Sequence, residues 1–307
     1  MASTGSAVER SVTTTRLEMR KRRVNLTDIL VGVPKYAVLL VLSFSFMLPF
    51  LWMFSSALKN DTQVFTIPPI WFPSPAHWEN FWDAWHTLPF NLWLYNTVVK
   101  YALPVTLGTV LSAAICAYGF SRLEWRLRDP LFAICLATMM VPGQVTLVPL
   151  FIVFRTLGWV DSMRPLVIPA FFGGGAFNIF LLRQFFLSLP SELSDAARID
   201  GASEWGILFR IMMPLAKPAL TVVALFRFMA AWNDYFGPLV YLNSMNEWTL
   251  ARGLERLRSS VYEVGHTRMA YPYLMAVSTV ITVPILISFF FAQRTFIEGI
   301  ALTGIKG

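Results

Sequence analysis

Arg227 and Asp234 are the only charged residues in an otherwise apolar stretch from Pro218 to Asn246. A charge at the centre of a bilayer costs about 3 kcal/mol or more unless it is paired or hydrated. On an uninterrupted helix, positions seven apart lie nearly on one face and about 10 Å apart along the axis, too far for a direct pair. Two uses remain open. Asn233 and Asp234, with Trp232 beside them and Arg227 below, could face a water-filled cavity. Alternatively Asp234 sits at the outer end of the segment and Arg227 pairs with a neighbouring helix. Other chemistry is hard to find. The chain has no G-x-x-x-x-G-K-[ST] to cradle phosphates, no H-E-x-x-H and no G-x-S-x-G. His77, His86 and His266 are scattered, and Cys116 and Cys135 fall inside apolar runs. No metal site, no disulfide framework and no nucleotide bound by this chain are expected.

The second chemically informative stretch is polar. Residues 188–217 read SLPSELSDAARIDGASEWGILFRIMMPLAK. Pro190 and Ser191 start a helix, with Glu192, Ser194 and Asp195 in the first turns favouring the positive end of its dipole. That helix covers Asp195 to Asp200. Gly201 then supplies a backbone angle that a side chain resists. A second helix, about Ser203–Met212, carries Trp205, Leu208, Phe209 and Met212 at spacings of three and four, and Pro214 and Pro218 end it. Two short helices across a glycine hinge with an apolar stripe make a docking element. A helix resting on lipid is the plainer alternative.

The elements that hold these stretches are membrane spans. Of 307 residues, 56% are hydrophobic and 14% charged, with 26 Phe and 11 Trp; an average soluble domain is roughly 25% charged. Uncharged runs long enough to cross a bilayer cover Tyr36–Leu58, Tyr101–Ser121, Pro130–Phe154, Pro165–Leu182 and Met269–Gln293. With Pro218–Asn246 they predict six spans: 36–58, then about 95–121, 130–155, 165–187, 218–242 and 269–293. Residues 1–35 form a basic N-terminal segment without a cleavable signal peptide, 59–90 a Trp/Pro-rich extracytoplasmic loop, and 295–307 a tail. The Trp-rich loop reads as irregular structure at the lipid headgroups, with carbohydrate stacking as the other use of its Trp residues. Gly173–Gly175 loosens the fourth span or packs it closely against another. With the N-terminus inside, sixteen Lys and Arg fall on the cytoplasmic side and eight on the other, placing both termini in the cytoplasm. The net charge of +7 then reflects this asymmetry, not nucleic acid.

Asp195-Ala196-Ala197, then Gly201, then Ile211, Met213 and Pro214 at that spacing resemble the signature loop of binding-protein-dependent ABC importer permeases, which reads Glu-Ala-Ala, three residues, Gly, nine residues, Ile-x-Leu-Pro. Asp195 stands where the family has Glu, and Met213 where it has Leu. Residues 57–81, Ala231-Trp232-Asn233-Asp234 and the ending QRTFIEGIALTGIKG are similar to the carbohydrate branch, the maltose-permease-like subunits. The resemblance covers nearly the whole chain after about residue 30.

That resemblance implies an all-α, six-helix polytopic permease of the type I ABC importer kind, with its transmembrane domain over 91–294. It implies a multi-pass protein of the cytoplasmic membrane, which pairs with a second, related permease, two ABC ATPase subunits and an extracytoplasmic solute-binding protein. ATP and Mg would be used by the ATPase partners, so this chain is not itself an enzyme. Residues Ser203–Arg210 would be the coupling helix. Trp205 and Phe209 would fill an ATPase groove, Arg198, Asp200 and Glu204 would make rim contacts, and Ala202 and Pro214 belong to the same loop. Trp232, Asn233, Asp234 and Arg227 would line the path between the permeases, and Glu298–Gly307 would reach toward the ATPases. The implied cargo is a sugar or oligosaccharide; a glycerol phosphate, amino acid or peptide is the alternative within ABC systems. A self-sufficient secondary transporter would require inverted repeats and ion-coupling carboxylates, of which the sequence shows only Asp234.

Overall fold

The computed structural model describes residues 26–262 and 270–303. The basic run at 16–23, His266 and the last four residues of the tail lie outside the described residues. By contacts the chain divides into Met1–Phe50 and Leu51–Gly307. Among the described residues the structure is helical, without strands.

In chain order, the principal helices are α1 (Leu26–Ala57), α2 (Glu79–Thr87), α3 (Phe90–Ser121), α4 (Arg128–Met140) and α5 (Gly143–Thr156). They are followed by α6 (Ala176–Ser188), α7 (Glu192–Ile199), α8 (Glu204–Leu215) and α9 (Lys217–Trp232), then α10 (Phe236–Tyr241), α11 (Leu250–Tyr262) and α12 (Ala270–Thr303). Four helical stretches are each long and apolar enough to cross a membrane: Pro34–Ala57, Phe90–Ser121, Arg164–Ser188 and Tyr271–Phe290. Two bent pairs, α4 with α5 at 98° and α8 with α9 at 81°, bring the number to six where each pair counts as one span.

Helix is interrupted inside two of the predicted spans. The stretch 130–155 is not one straight helix, because Val141 is extended (φ −81°, ψ 114°) ahead of Pro142. A proline ring pushes the residue before it out of the helical region. The stretch 218–242 is also broken: α9 stops at Trp232, and Asn233–Tyr235 lead into α10. At the ends, helix reaches further than the apolar runs. α1 begins at Leu26, inside the expected N-terminal segment, and α12 continues to Thr303, through most of the expected tail. The Trp/Pro-rich loop is not irregular throughout, since it contains α2. Its Lys59 is fully buried, with Nζ 3.7 Å from the centroid of the Trp52 ring.

Pro104 and Pro214 both sit inside helix rather than ending one. Each follows a π-helical stretch, Asn96–Ala102 and Leu208–Met212. The residue just before each proline bonds five residues back, Leu103 N–H to the Val98 carbonyl and Met213 N–H to the Leu208 carbonyl. In a regular α-helix a proline ring collides with the carbonyl four residues back. Widening the preceding turn relieves that collision, and the helix passes through the proline.

α3 is the central element of the Leu51–Gly307 unit. Its small residues, Gly108, Thr109, Ser112, Ala113 and Ala117, let neighbours approach. Gly174 uses that space. Gly173, Gly174 and Gly175 all have positive φ, and a Cβ on Gly174 would lie 2.6 Å from the Thr109 carbonyl oxygen. The glycine run therefore interrupts the helix between Phe171 and Ala176 and also permits close packing. One apolar core joins α3, α6, the 188–217 loop and α9 through Tyr118, Phe186, Leu208, Met212 and Val223. A second gathers Tyr101, Phe154, Leu166 and Tyr241, and a third Phe90, Trp93, Trp232 and Val277.

Candidate functional site

In the 188–217 loop, α7 opens with the Ser191 carbonyl accepting from Ser194 and Asp195 N–H. It spans Glu192–Ile199, three residues longer at its start than Asp195 would set. It closes on Gly201, whose φ is +79°. The Gly201 N–H reaches the Arg198 carbonyl and the Ala202 N–H the Ala197 carbonyl, the paired bonds of a Schellman cap. Ser203 then caps α8, its Oγ accepting from the Gly206 N–H at 3.2 Å. Each helix end is thus satisfied within four residues of chain.

The apolar stripe on α8 divides. Ile207, Leu208 and Met212 are buried against Tyr118 and Phe186, whereas Trp205 and Phe209 are 60% and 45% exposed. The two exposed rings stack at 6.1 Å and 15°. Ile199, at the end of α7, is 86% exposed, a third apolar side chain that the spacing argument overlooked. Ala196, Asp200 and Ala202 are exposed as well, and Ala197 is buried. Pro214 is exposed within α8 and does not end it.

The polar residues of the loop engage one another and the ends of two spans. Arg198 Nε donates to Glu204 Oε1 at 2.8 Å, and its Nη1 donates to Asp195 Oδ1 at 2.9 Å. Arg198 Nη2 meets the Arg122 carbonyl at 3.3 Å. The Tyr118 hydroxyl donates to Glu204 Oε2. Arg122 Nη2 donates to the Phe186 and Leu189 carbonyls at the end of α6. The Arg198 hydrogen bond holds the Glu204 carboxyl below the usual carboxylate range, and Glu204 in turn holds the Arg198 guanidinium more firmly protonated. Arg198 and Glu204 are therefore committed to each other, whereas the third predicted rim residue, Asp200, is exposed at the end of α7. Tyr118 and Arg122 were not singled out from sequence, where a Tyr in an apolar run and an Arg in a basic turn carry no special signal.

At the end of α9 the four residues expected together separate. Trp232 and Asn233 line an open cavity of about 400 Å³, closed on its other sides by α11 and α12 through Leu254, Glu255, Arg258 and Ser278. The indole Nε1 of Trp232 is buried there without a hydrogen-bond partner. Asp234 and Arg227 do not line this cavity. Because α9 ends at Trp232, Asp234 lies beyond the helix that carries Arg227, and the seven-residue helical spacing does not apply. Asp234 Oδ2 accepts from the Tyr101 hydroxyl at 2.5 Å and Oδ1 from the Gly237 N–H at 3.0 Å. Arg227 is half-buried, and its Nε is buried without a partner. Among the described residues no three His, Cys, Asp or Glu side chains converge as a metal cage.

Residues 108–301 match the family described as binding-protein-dependent transport system inner membrane component. The probable ABC transporter permease protein YurM of Bacillus subtilis is 32% identical over 263 residues, 84% of this chain and 83% of that protein. The arabinooligosaccharides transport system permease protein AraQ of the same organism is 35% identical over 215 residues, 70% of this chain and 73% of that protein. Among solved structures, a chain of a bacterial ABC transporter involved in the import of the acidic polysaccharide alginate superposes with a TM-score of 0.76. That superposition covers 88% of this chain and 98% of the other at 23% identity, a likeness of fold.

Proposed function

The chain belongs to the family of binding-protein-dependent transport system inner membrane components, and on that premise we propose that it carries a sugar or oligosaccharide across the cytoplasmic membrane as one permease of an ATP-driven importer. A second permease completes the path, two ATPase subunits dock from the cytoplasm, and a solute-binding protein delivers cargo from the other side. ATP and Mg are consumed in the ATPase subunits. Their closure draws the coupling helices together and opens the path outward; hydrolysis and release reset it inward. Support for a carbohydrate comes from relatives such as the arabinooligosaccharide permease.

The observation that carries the docking role is the division of α8. One side is buried in this chain's own core, and the other presents Trp205 and Phe209 as a stacked apolar pair. Exposed apolar clusters of this kind mark protein or membrane contacts, and the charged Asp195, Arg198 and Glu204 in the same loop favour a protein. In the same reading Trp232 and Asn233 line the solute path, since an aromatic face and an amide suit a sugar's C–H face and hydroxyls.

Reconstitution tests the assignment. The complete importer in proteoliposomes is expected to take up labelled oligosaccharide only with ATP and binding protein present. This chain alone should transport nothing and hydrolyse no ATP. ATP turnover or ion-driven uptake by the purified single chain would overturn the proposal.

A further inference from the structure

Tyr118 is 3% exposed and lies inside an apolar cluster with Ala114, Ala117, Phe186, Leu208 and Met212. A phenylalanine would fill the same space and keep the edge-to-face contact with Phe186, whose ring centroid is 6.5 Å away. The hydroxyl is therefore not explained by packing. It reaches out of the cluster to Glu204, 86 positions along the chain, and Glu204 is the first residue of α8. Bonds to a charged acceptor are roughly twice as strong as neutral ones. Being buried on the phenol side, this one is poorly replaced by water.

We propose that the Tyr118–Glu204 hydrogen bond is the latch that passes a displacement of α8 into the membrane-spanning helix α3. This rests on the reading of the 188–217 loop as the ATPase-docking element. Glu204 is the neighbour of Trp205, so the residue that grips α3 and the residue offered to a partner are adjacent on one helix. The latch is stiff in the other directions. Arg198 holds the second Glu204 oxygen and Asp195, and also meets the Arg122 carbonyl. Arg122 itself is clamped to the end of α6. A push on Trp205 and Phe209 thus meets a braced α7–α8 pair, and the phenol carries it to α3. Tyr118 is a positioning residue; it touches neither solute nor nucleotide.

The test uses the complete importer in proteoliposomes, with ATP hydrolysis and uptake measured on the same sample. Tyr118→Phe is expected to leave ATPase recovery near wild type and to lower the thermal midpoint of the complex by no more than a few degrees. Uptake per ATP hydrolysed should fall by about tenfold, in line with loss of one hydrogen bond to a charged group. Glu204→Gln, which also weakens the Arg198 ion pair, should lose at least as much uptake per ATP as Tyr118→Phe. The double variant should lose less than the sum of the two single losses, because the Tyr118 bond is shared between them. Wild-type uptake per ATP in Tyr118→Phe would overturn the latch. Loss of the ATPase subunits from Tyr118→Phe would overturn it too, by showing that the bond only maintains the fold of the loop. A wild-type complex that imports nothing with ATP would instead sink the permease reading, and the latch with it.

Discussion

Replacing Gly201 by Asp separates docking from folding, because the structure fixes what the substitution can and cannot disturb. Gly201 has φ +79°, and a Cβ built on it meets no heavy atom within 4 Å. The cost inside the chain is therefore only that of the left-handed backbone, about 1 kcal/mol, and Asp tolerates that region better than most residues. Gly174 is the internal comparison. Its φ is +67°, and a Cβ there would lie 2.6 Å from the Thr109 carbonyl oxygen and 3.1 Å from Ser112 Oγ. Neither can yield easily, since the first is helix backbone and the second is held by the Gly108 and Ala170 carbonyls. Overpacking of this kind adds roughly 1–3 kcal/mol, so Gly174→Ala should cost about 2–4 kcal/mol. At 1.4 kcal/mol per tenfold, the two glycines should differ by a factor of about 5 to 140 in the unfolding equilibrium. Thermal scans of the detergent-solubilised chain, followed by maleimide labelling of half-buried Cys116 and Cys135, report the difference. Gly201→Asp should insert, accumulate and melt close to wild type, and yet fail to recover the ATPase subunits in a pull-down, or recover them with uptake uncoupled from hydrolysis. If Gly174→Ala melts no earlier than Gly201→Asp, the steric argument fails. Normal ATPase recovery with normal uptake in Gly201→Asp would refute the assignment of the loop as the coupling element.

Asp234→Ala should lower the thermal midpoint, because it leaves the 3%-exposed Tyr101 hydroxyl without its acceptor, at a cost of about 1–3 kcal/mol; Asn233→Ala should leave stability unchanged and alter uptake, and the reverse pattern would return Asp234 to the path. Arg227→Met should hold or raise the midpoint, since it removes a half-buried charge whose Nε has no partner; a lower midpoint would show that the guanidinium is compensated. Asp161 accepts from the Ser244 hydroxyl and from the Ser244 and Asn243 N–H groups, which hold its carboxyl below the usual range. A depressed carboxylate contributes stability above its unfolded pKa and loses it as pH falls through the folded one. Hydrogen exchange at Asn243 and Ser244, corrected for intrinsic rates, should therefore accelerate below about pH 4, and Asp161→Asn should remove that pH dependence; unchanged protection down to pH 3 would contradict it.

The membrane class, the approximate positions of the spans and the two-helix loop around Gly201 are written in local signals. Apolar run length is set by bilayer thickness, and Ser203 and Gly201 act through their own backbone neighbourhoods, so one sequence suffices to read them. The breaks inside spans were only partly legible. Pro142 ends a helix, Pro104 and Pro214 follow a π-helical turn, and Pro49, Pro149 and Pro284 sit inside α-helices without one; which of these happens is decided by what packs around each proline. The periodicity of α8 showed that Trp205, Leu208, Phe209 and Met212 are apolar neighbours, but a stripe wide enough for four residues does not say which two the core takes. Phe186 and Tyr118, far along the chain, settle it by covering Leu208 and Met212. The same holds for Asp234, whose bonds to the Tyr101 hydroxyl and the Gly237 N–H are set by the end of α9 at Trp232 and not by its spacing from Arg227. Long-range partners such as Tyr118 with Glu204, or Arg122 with Phe186, leave no pattern in a single sequence, because hydrogen bonding between distant residues follows from the packed arrangement of helices and not from spacing along the chain.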